Sequence, residues 1–263
     1  MSELLLRNDA GGIATLTLNA PDRLNALSDA MLAALQDQID ALAEDRATRV
    51  VILKGAGKAF CAGHDLKEMQ AGRQTEDKGR AYFADLFARC ARVMTGLMRL
   101  PQPVIATPHG IATAAGCQLV ASCDLAIAAE GTRFGVNGVN IGLFCSTPMV
   151  ALSRNVPRKQ AFEMLTTGSF IGTDRAEAMG LINRSVPHDR LDEAALEMAK
   201  TLAEKLGPAL RIGKRTFYEQ IQMGIDQAYA HASEVMVENM LWRDTEEGIS
   251  AFLEKRPPVF KGK

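Results

Sequence analysis

Phe60-Cys61-Ala62-Gly63-His64-Asp65-Leu66 is the stretch on which the reading of this chain turns. It follows four aliphatic residues, Val50-Val51-Ile52-Leu53, and a glycine turn, Gly55-Ala56-Gly57. An aliphatic run of that length closed by glycines predicts a short buried strand. Small residues at Ala62 and Gly63 let a ligand approach the main chain closely. Main-chain N–H groups exposed in such a turn suit a developing negative oxygen. Taken alone, the stretch is also what turn geometry asks for at a strand-to-loop junction.

A second stretch repeats the arrangement further along. Pro103-Val104-Ile105-Ala106 reads as a strand, and His109-Gly110-Ile111-Ala112-Thr113-Ala114-Ala115-Gly116-Cys117-Gln118-Leu119 as a tight small-residue turn leading into a helix. A helix N-terminus has free N–H groups and positive dipole character. One donor from each stretch is enough to clamp a single oxyanion.

Around these stretches the chain alternates strand and helix. Leu4-Leu5-Leu6 and Ile13 to Leu18, flanking Asn8-Asp9-Ala10-Gly11-Gly12, predict a β-hairpin. Ser28 is placed to cap a helix to about Glu44, with Leu32, Leu35, Ile39 and Leu42 on one stripe. Residues 65–80 are rich in charge and read as a mobile, solvated segment, with Asp65 capping a helix that starts at Leu66-Lys67-Glu68. Helix over about 81–100, strand 103–107, helix 115–122 and strand 124–128 follow. Such alternation predicts α/β layering. From about residue 190 the pattern is helix only. The division expected is a core of residues 1–190 and a helical C-terminal region of residues 191–263.

Composition narrows the function. A chain of 263 residues holds one substantial core. Hydrophobic residues make up 47% and the net charge is −1. That balance gives no bulk electrostatic case for nucleic acid or an anionic membrane. Glu3, Arg7 and Asp9 interrupt what would be a signal peptide's apolar region, and no apolar run reaches membrane-spanning length, so a cytoplasmic location is expected. Five cysteines (Cys61, Cys90, Cys117, Cys123 and Cys145) show neither a CxxC pair nor zinc spacing and read as reduced, buried thiols. No metal site is expected.

In order and spacing the chain resembles the crotonase, or enoyl-CoA hydratase/isomerase, superfamily. The resemblance runs from Asn19-Ala20-Pro21-Asp22-Arg23-Leu24-Asn25-Ala26-Leu27, through residues 58–69 and 109–119 and Cys123-Asp124-Leu125-Ala126-Ile127-Ala128, to residues 247–256. It implies an α/β fold, the ClpP-like crotonase spiral of strand-strand-helix units. The helical C-terminal region would pack a homotrimer, often doubled to a hexamer. It implies a lyase- or isomerase-type enzyme of fatty-acid-like acyl-CoA chemistry, with coenzyme A entering as part of the substrate and no prosthetic group. The thioester oxygen would lie between the N–H groups of His64 and Ala115, the latter at a position usually glycine. The CoA would be held by Arg23, Leu24 and Ala26, by Ala62, Asp65 and Leu66, and by Phe252 and Lys255, the last two often from a neighbouring subunit.

The resemblance breaks at the chemistry. Hydratases of the family use two glutamates. Their positions here carry Gln118, in Gly116-Cys117-Gln118-Leu119, and Gly138, three residues past Phe134-Gly135. Glutamine can orient water but does not shuttle a proton near neutral pH. General acid/base catalysis is typically worth about 10²–10⁴-fold. Ordinary hydration is therefore expected to be weak. Three readings stay open: an acyl-CoA decarboxylase or thioesterase that needs no glutamate pair, a hydratase with an unrecognised base, and a non-catalytic acyl-CoA-binding regulator. Gly63-His64-Asp65 with Val139-Asn140-Ile141-Gly142 is similar to the methylmalonyl-CoA decarboxylase branch, although Cys145 stands near that branch's tyrosine. The His64 ring is either a participant or turned away, and Cys145 either a pocket thiol or inert.

Overall fold

The computed structural model describes residues 3–262. A six-stranded sheet runs in the order β1-β2-β3-β4-β6-β8. Its strands are β1 (Leu5–Ala10), β2 (Ile13–Leu18), β3 (Val50–Gly55), β4 (Val104–Thr107), β6 (Leu125–Ala129) and β8 (Arg184–Val186). β1 and β2 form the expected antiparallel hairpin, and every later pairing in this sheet is parallel. Leu16, Val51, Leu53, Val104 and Ala106 face the main core. Val50, Ile52 and Ile105 face the other side, against Ala195 and Ala199 of α8 (Leu191–Ala203). Burial on both faces explains why Val50-Val51-Ile52-Leu53 shows no polar alternation.

A second, smaller wall is built from β5 (Ile111–Thr113) and β7 (Arg133–Gly135), paired in parallel. Single bridges extend it: Leu27 with His64, Cys61 with Ala112, and Phe134 with Ile171. Each turn of the chain therefore lays one strand on the large sheet, one segment on the small wall, and then a helix. β3 leads to residues 61–64 and then to α2 (Leu66–Gly72) and α3 (Arg80–Arg99). β4 leads to β5 and α4 (Ala115–Ser122). β6 leads to β7, then α5 (Ser146–Asn155), α6 (Arg158–Thr167) and α7 (Thr173–Ala178). This is the spiral of strand-strand-helix units that the resemblance implied.

The helices follow from local signals. Ser28 caps α1 (Asp29–Glu44) by accepting the Met31 N–H at 3.1 Å, and Met31, Leu32, Leu35, Ile39 and Leu42 are buried along one stripe. Gly96 lets α3 close on α1, since a Cβ there would lie 2.9 Å from Ile39 Cγ2. Within residues 65–80, Asp65 caps α2 as expected, by accepting the Lys67 and Glu68 N–H groups. The Asp77 carboxylate accepts from Gly79 and Ala81 ahead of α3. Strands β5, β7 and β8, three residues each, were not anticipated, because so short a run carries no periodic signal.

The boundary expected between residues 190 and 191 falls just before α8. That helix covers the outer face of the sheet and so belongs to the core. The helices that leave the core are α9 (Gly207–Gln220), α10 (Ile225–Met240) and α11 (Arg243–Leu253). One buried polar lock holds α9 down. Lys214 Nζ donates to the carbonyls of Leu97 and Gln102, each at 2.9 Å, and to Asp124 Oδ2 at 2.7 Å. Tyr218 donates to the other Asp124 oxygen at 2.8 Å. Burial lowers the Lys214 pKa, and the adjacent Asp124 charge opposes that shift. Among the described residues no helix is long and apolar enough to cross a membrane.

Candidate active site

The two glycine-bearing stretches meet. Cys61 accepts the Thr113 N–H at 3.1 Å and donates its own N–H to the Ile111 carbonyl at 3.1 Å. Gly63, at φ +89°, sits where a Cβ would press within 3.0 Å of Ala114 Cβ and the Thr113 carbonyl and 3.3 Å of Ala115 N. A Cβ on Gly116 would overlap the Cys61 carbonyl. Both glycines are thus requirements of close approach. The junction seats Gly63, the residue before His64, against Ala114-Ala115, and neither the His64 nor the Ala115 N–H has a hydrogen-bond partner among the described residues. Ala115 is the first residue of α4, where N–H groups have no intrahelical acceptor.

Ala114, just before that donor, has φ 50° and ψ −118°. This conformation suits glycine, and in an alanine it stores strain. The Ala114 N–H is anchored on the Gly135 carbonyl at 2.9 Å, which holds the turn in place.

Gln118 lies one turn into α4 and is buried, 4% exposed, with Oε1 free of any partner. Gly138 begins the turn that leads to α5, and the space beside it is already filled. A Cβ there would fall on the Leu143 carbonyl oxygen and 2.8 Å from Cys145 Sγ. Gly138 O accepts the Leu143 N–H at 3.0 Å, and Gly138 N–H donates to Cys145 Sγ at 3.3 Å. Gly138 therefore leaves no open space where the usual glutamate would stand. Cys145 is buried, which raises its pKa despite the Gly138 N–H. Its thiol serves as an acceptor for the turn.

The His64 ring packs against α3. It lies edge-on to Phe87 of α3, with centroids 5.8 Å apart, and Nδ1 is 3.4 Å from the Leu27 carbonyl. Nε2 is buried without a partner. Burial lowers the ring's pKa below its usual value, so it is neutral at pH 7.

The CoA-side positions divide into two groups. Arg23, Leu24, Ala26, Ala62, Asp65 and Leu66 lie together. The Ala62 N–H donates to Leu24 O at 3.0 Å, and Leu27 N–H to Gly63 O at 2.7 Å. Ala26 and Asp65 are buried, while Leu66 is exposed. Arg23 is engaged by Asp65 and lies 3.6 Å from Glu68, so its guanidinium is not a free surface charge. Phe252 and Lys255 are not brought to this group. Phe252 stands at the end of α11, 83% exposed, and Lys255 follows it; among the described residues neither has a hydrogen bond or ion pair to residues 23–66.

Asn25, in the stretch 19–27, is a positioning residue that the sequence pattern did not single out. Asn25 is fully buried, in the left-handed region at φ 53°. It accepts the Ala20 N–H at 2.9 Å and donates to the carbonyls of Ala56 (2.9 Å) and Ala59 (2.7 Å). It ties residues 20–27 to the loop that delivers Phe60-Cys61. The sequence did carry a signal, an asparagine next to turn residues, since asparagine tolerates this backbone region and bonds to nearby main chain.

Cavities of about 770 Å³ and 320 Å³ lie elsewhere: one between the end of α3 and α9–α10, the other beside Lys54, His109 and His188. Neither is lined by residues 61–66 or 113–118. Among the described residues no group of histidine, cysteine and carboxylate side chains is placed to hold a metal.

A sequence model described as enoyl-CoA hydratase/isomerase matches residues 8–263. The human protein named enoyl-CoA hydratase domain-containing protein 3, mitochondrial, is 46% identical over 249 residues, 95% of this chain and 80% of the relative. The 2,3-dehydroadipyl-CoA hydratase of Escherichia coli is 32% identical over 264 residues, the full length of both. A crystal structure of an enoyl-CoA hydratase from Mycobacterium smegmatis superposes with a TM-score of 0.95 at 54% identity, over 98% of this chain and 99% of that one. The expected cytoplasmic location does not stand, because the relatives at 45–46% identity are mitochondrial proteins.

Proposed function

The chain belongs to the enoyl-CoA hydratase/isomerase family, and we propose that it binds an acyl-CoA thioester and holds its enolate oxygen between the N–H groups of His64 and Ala115. The observation that supports this is the close seating of Gly63 on Ala114-Ala115, with the main-chain donors of His64 and Ala115 both unengaged. Donors fixed at the site of developing charge are worth about 3–4 kcal/mol each. Coenzyme A enters as part of the substrate, and no prosthetic group is needed.

Ordinary hydration is weak in this reading. Gln118 and Gly138 hold no titratable group at the positions of the usual carboxylates, and the His64 ring is packed against Phe87. The reaction best served is one whose enolate forms without a protein base. Decarboxylation of a 2-carboxyacyl thioester is of that kind: the bond to the carboxylate breaks, CO₂ leaves and the electron pair passes to the thioester oxygen. Thioester hydrolysis requires an activated water, for which this geometry gives less support. Binding without turnover, as a regulator, is the remaining alternative.

The exposed apolar residues of the C-terminal helices support assembly into a trimer or hexamer. Ile225, Tyr229, Met236, Val237 and Leu241 form a broad apolar surface on α10 and its end. Phe252 and Lys255 would then serve a neighbouring subunit's CoA, consistent with their lack of bonds to residues 23–66.

Crotonyl-CoA hydration measured beside CoA binding on one preparation tests the proposal. Binding with hydration near background is the expected result. Robust hydration would overturn the reading of Gln118 and Gly138, and absence of CoA binding would overturn the site. Release of CO₂ from malonyl- or methylmalonyl-CoA separates the decarboxylase reading from simple binding.

A further inference from the structure

The larger cavity lies on the side of the molecule where α9 and α10 lean on the end of α3, and the site described above does not use it. Arg99, Arg211 and Arg215 line it, with Tyr218 and Trp242 supplying aromatic faces. Arg46 and Arg49 crowd the same corner from the turn before β3, close enough to act on Arg211 electrostatically. The Arg49 guanidinium is tied down on the Lys205 carbonyl. None of Arg46, Arg99, Arg211 and Arg215 lies within 4.0 Å of a carboxylate among the described residues. Two acids also line the cavity. Glu219 is held by His231 at 3.0 Å, and Glu238 stands across from the arginines on α10.

Burial lowers the Arg211 pKa, and the neighbouring arginines lower it further. Arginines gathered around one cavity, none of them in an ion pair, cost free energy that an anion would relieve. Guanidinium groups match phosphate oxygens in pairs. Tyrosine and tryptophan faces accept a flat ring, and a volume of about 770 Å³ falls in the range of small-molecule sites. We propose that this cavity is a second binding site, for a phosphate-bearing small molecule of nucleotide size, at the joint between the spiral core and the C-terminal helices. This inference does not depend on the acyl-CoA reading.

Trp242 is the only tryptophan in the chain, so tryptophan emission reports on this cavity and not on residues 61–66 or 113–118. The assembled protein is titrated with ADP and, separately, with pyrophosphate, at ionic strength matched with KCl. A saturable change in emission is expected with both, stronger with ADP if the aromatic faces take the base. The Arg211→Gln/Arg215→Gln variant should bind ADP at least about tenfold more weakly, as loss of charge-assisted bonds requires. Without ligand its oligomeric size should match the parent's and its melting temperature should be no lower. No saturable change, a change reproduced by KCl alone, or undiminished binding in the variant would each overturn the proposal. So would dissociation of the variant's oligomer, which would show that the arginines meet a partner subunit instead.

Discussion

Restoring the two glutamates separates a site that merely lacks carboxylates from one rebuilt around their loss. Gln118→Glu replaces an amide by a carboxyl of the same shape. Gly138→Glu is a different matter. Its Cβ would fall on the Leu143 carbonyl and lie 2.8 Å from Cys145 Sγ and 3.4 Å from the Leu143 carbonyl carbon. The thiol can rotate, but the carbonyl is held by the turn whose Leu143 N–H returns to Gly138 O. Forcing atoms into such a place costs about 1–3 kcal/mol. For a chain of this size that is a loss of roughly 3–10 °C in melting temperature. Three variants are compared: Gln118→Glu, Gln118→Glu/Gly138→Glu, and the latter with Cys145→Ala. Each is followed by thermal unfolding and by loss of the ultraviolet absorbance of crotonyl-CoA. Gln118→Glu should melt near the parent and gain less than about tenfold in hydration, since one carboxylate does not replace a pair worth about 10²–10⁴-fold. The double variant should melt lower and gain nothing further. Adding Cys145→Ala should recover only part of the loss, because the backbone contact persists. A double variant that melts like the parent and hydrates about 10²-fold faster would refute the reasoning, showing that residues 138–145 open freely.

Ala114→Gly should raise stability by about 1 kcal/mol, the relief of a strained backbone outweighing the added freedom of the unfolded glycine; a lower melting temperature would show that the observed φ and ψ carry no strain. Lys214→Met leaves the largely covered Asp124 without its counter-charge and should cost about 3 kcal/mol in urea unfolding. A loss below about 1 kcal/mol would mean that α9 is held by its apolar contacts alone. His64 and His109 both have pKa values lowered chiefly by burial. The unfolded chain therefore takes up protons on these rings at a higher pH than the folded chain does. Stability should be full above about pH 6.5 and fall as the pH drops from there toward the folded-state values. His64→Gln/His109→Gln should flatten that decline, and an unchanged slope would assign it to other groups.

Residue types and spacing determined a good deal of this protein. Val50-Val51-Ile52-Leu53 announced a strand buried on both faces, and Ser28 and Asp65 announced helix starts. These are local or positional properties, carried by side-chain chemistry at fixed spacing. Tertiary structure decided what depends on contacts between distant segments. The short strands β5 and β7 exist because Cys61 and Phe134 offer their main chains to residues 111–113. The His64 ring is turned to Phe87 because α3 packs there. Gly138 is filled because residues 143–145 fold back onto it, and Arg23 is engaged because the capping residue Asp65 lies beside it. The gathering of Arg46, Arg49, Arg99, Arg211 and Arg215 was equally invisible in sequence, where they are spread over three distant segments. Side-chain chemistry is legible one residue at a time, whereas burial, pKa and the vacancy of a site are properties of neighbours that only folding supplies.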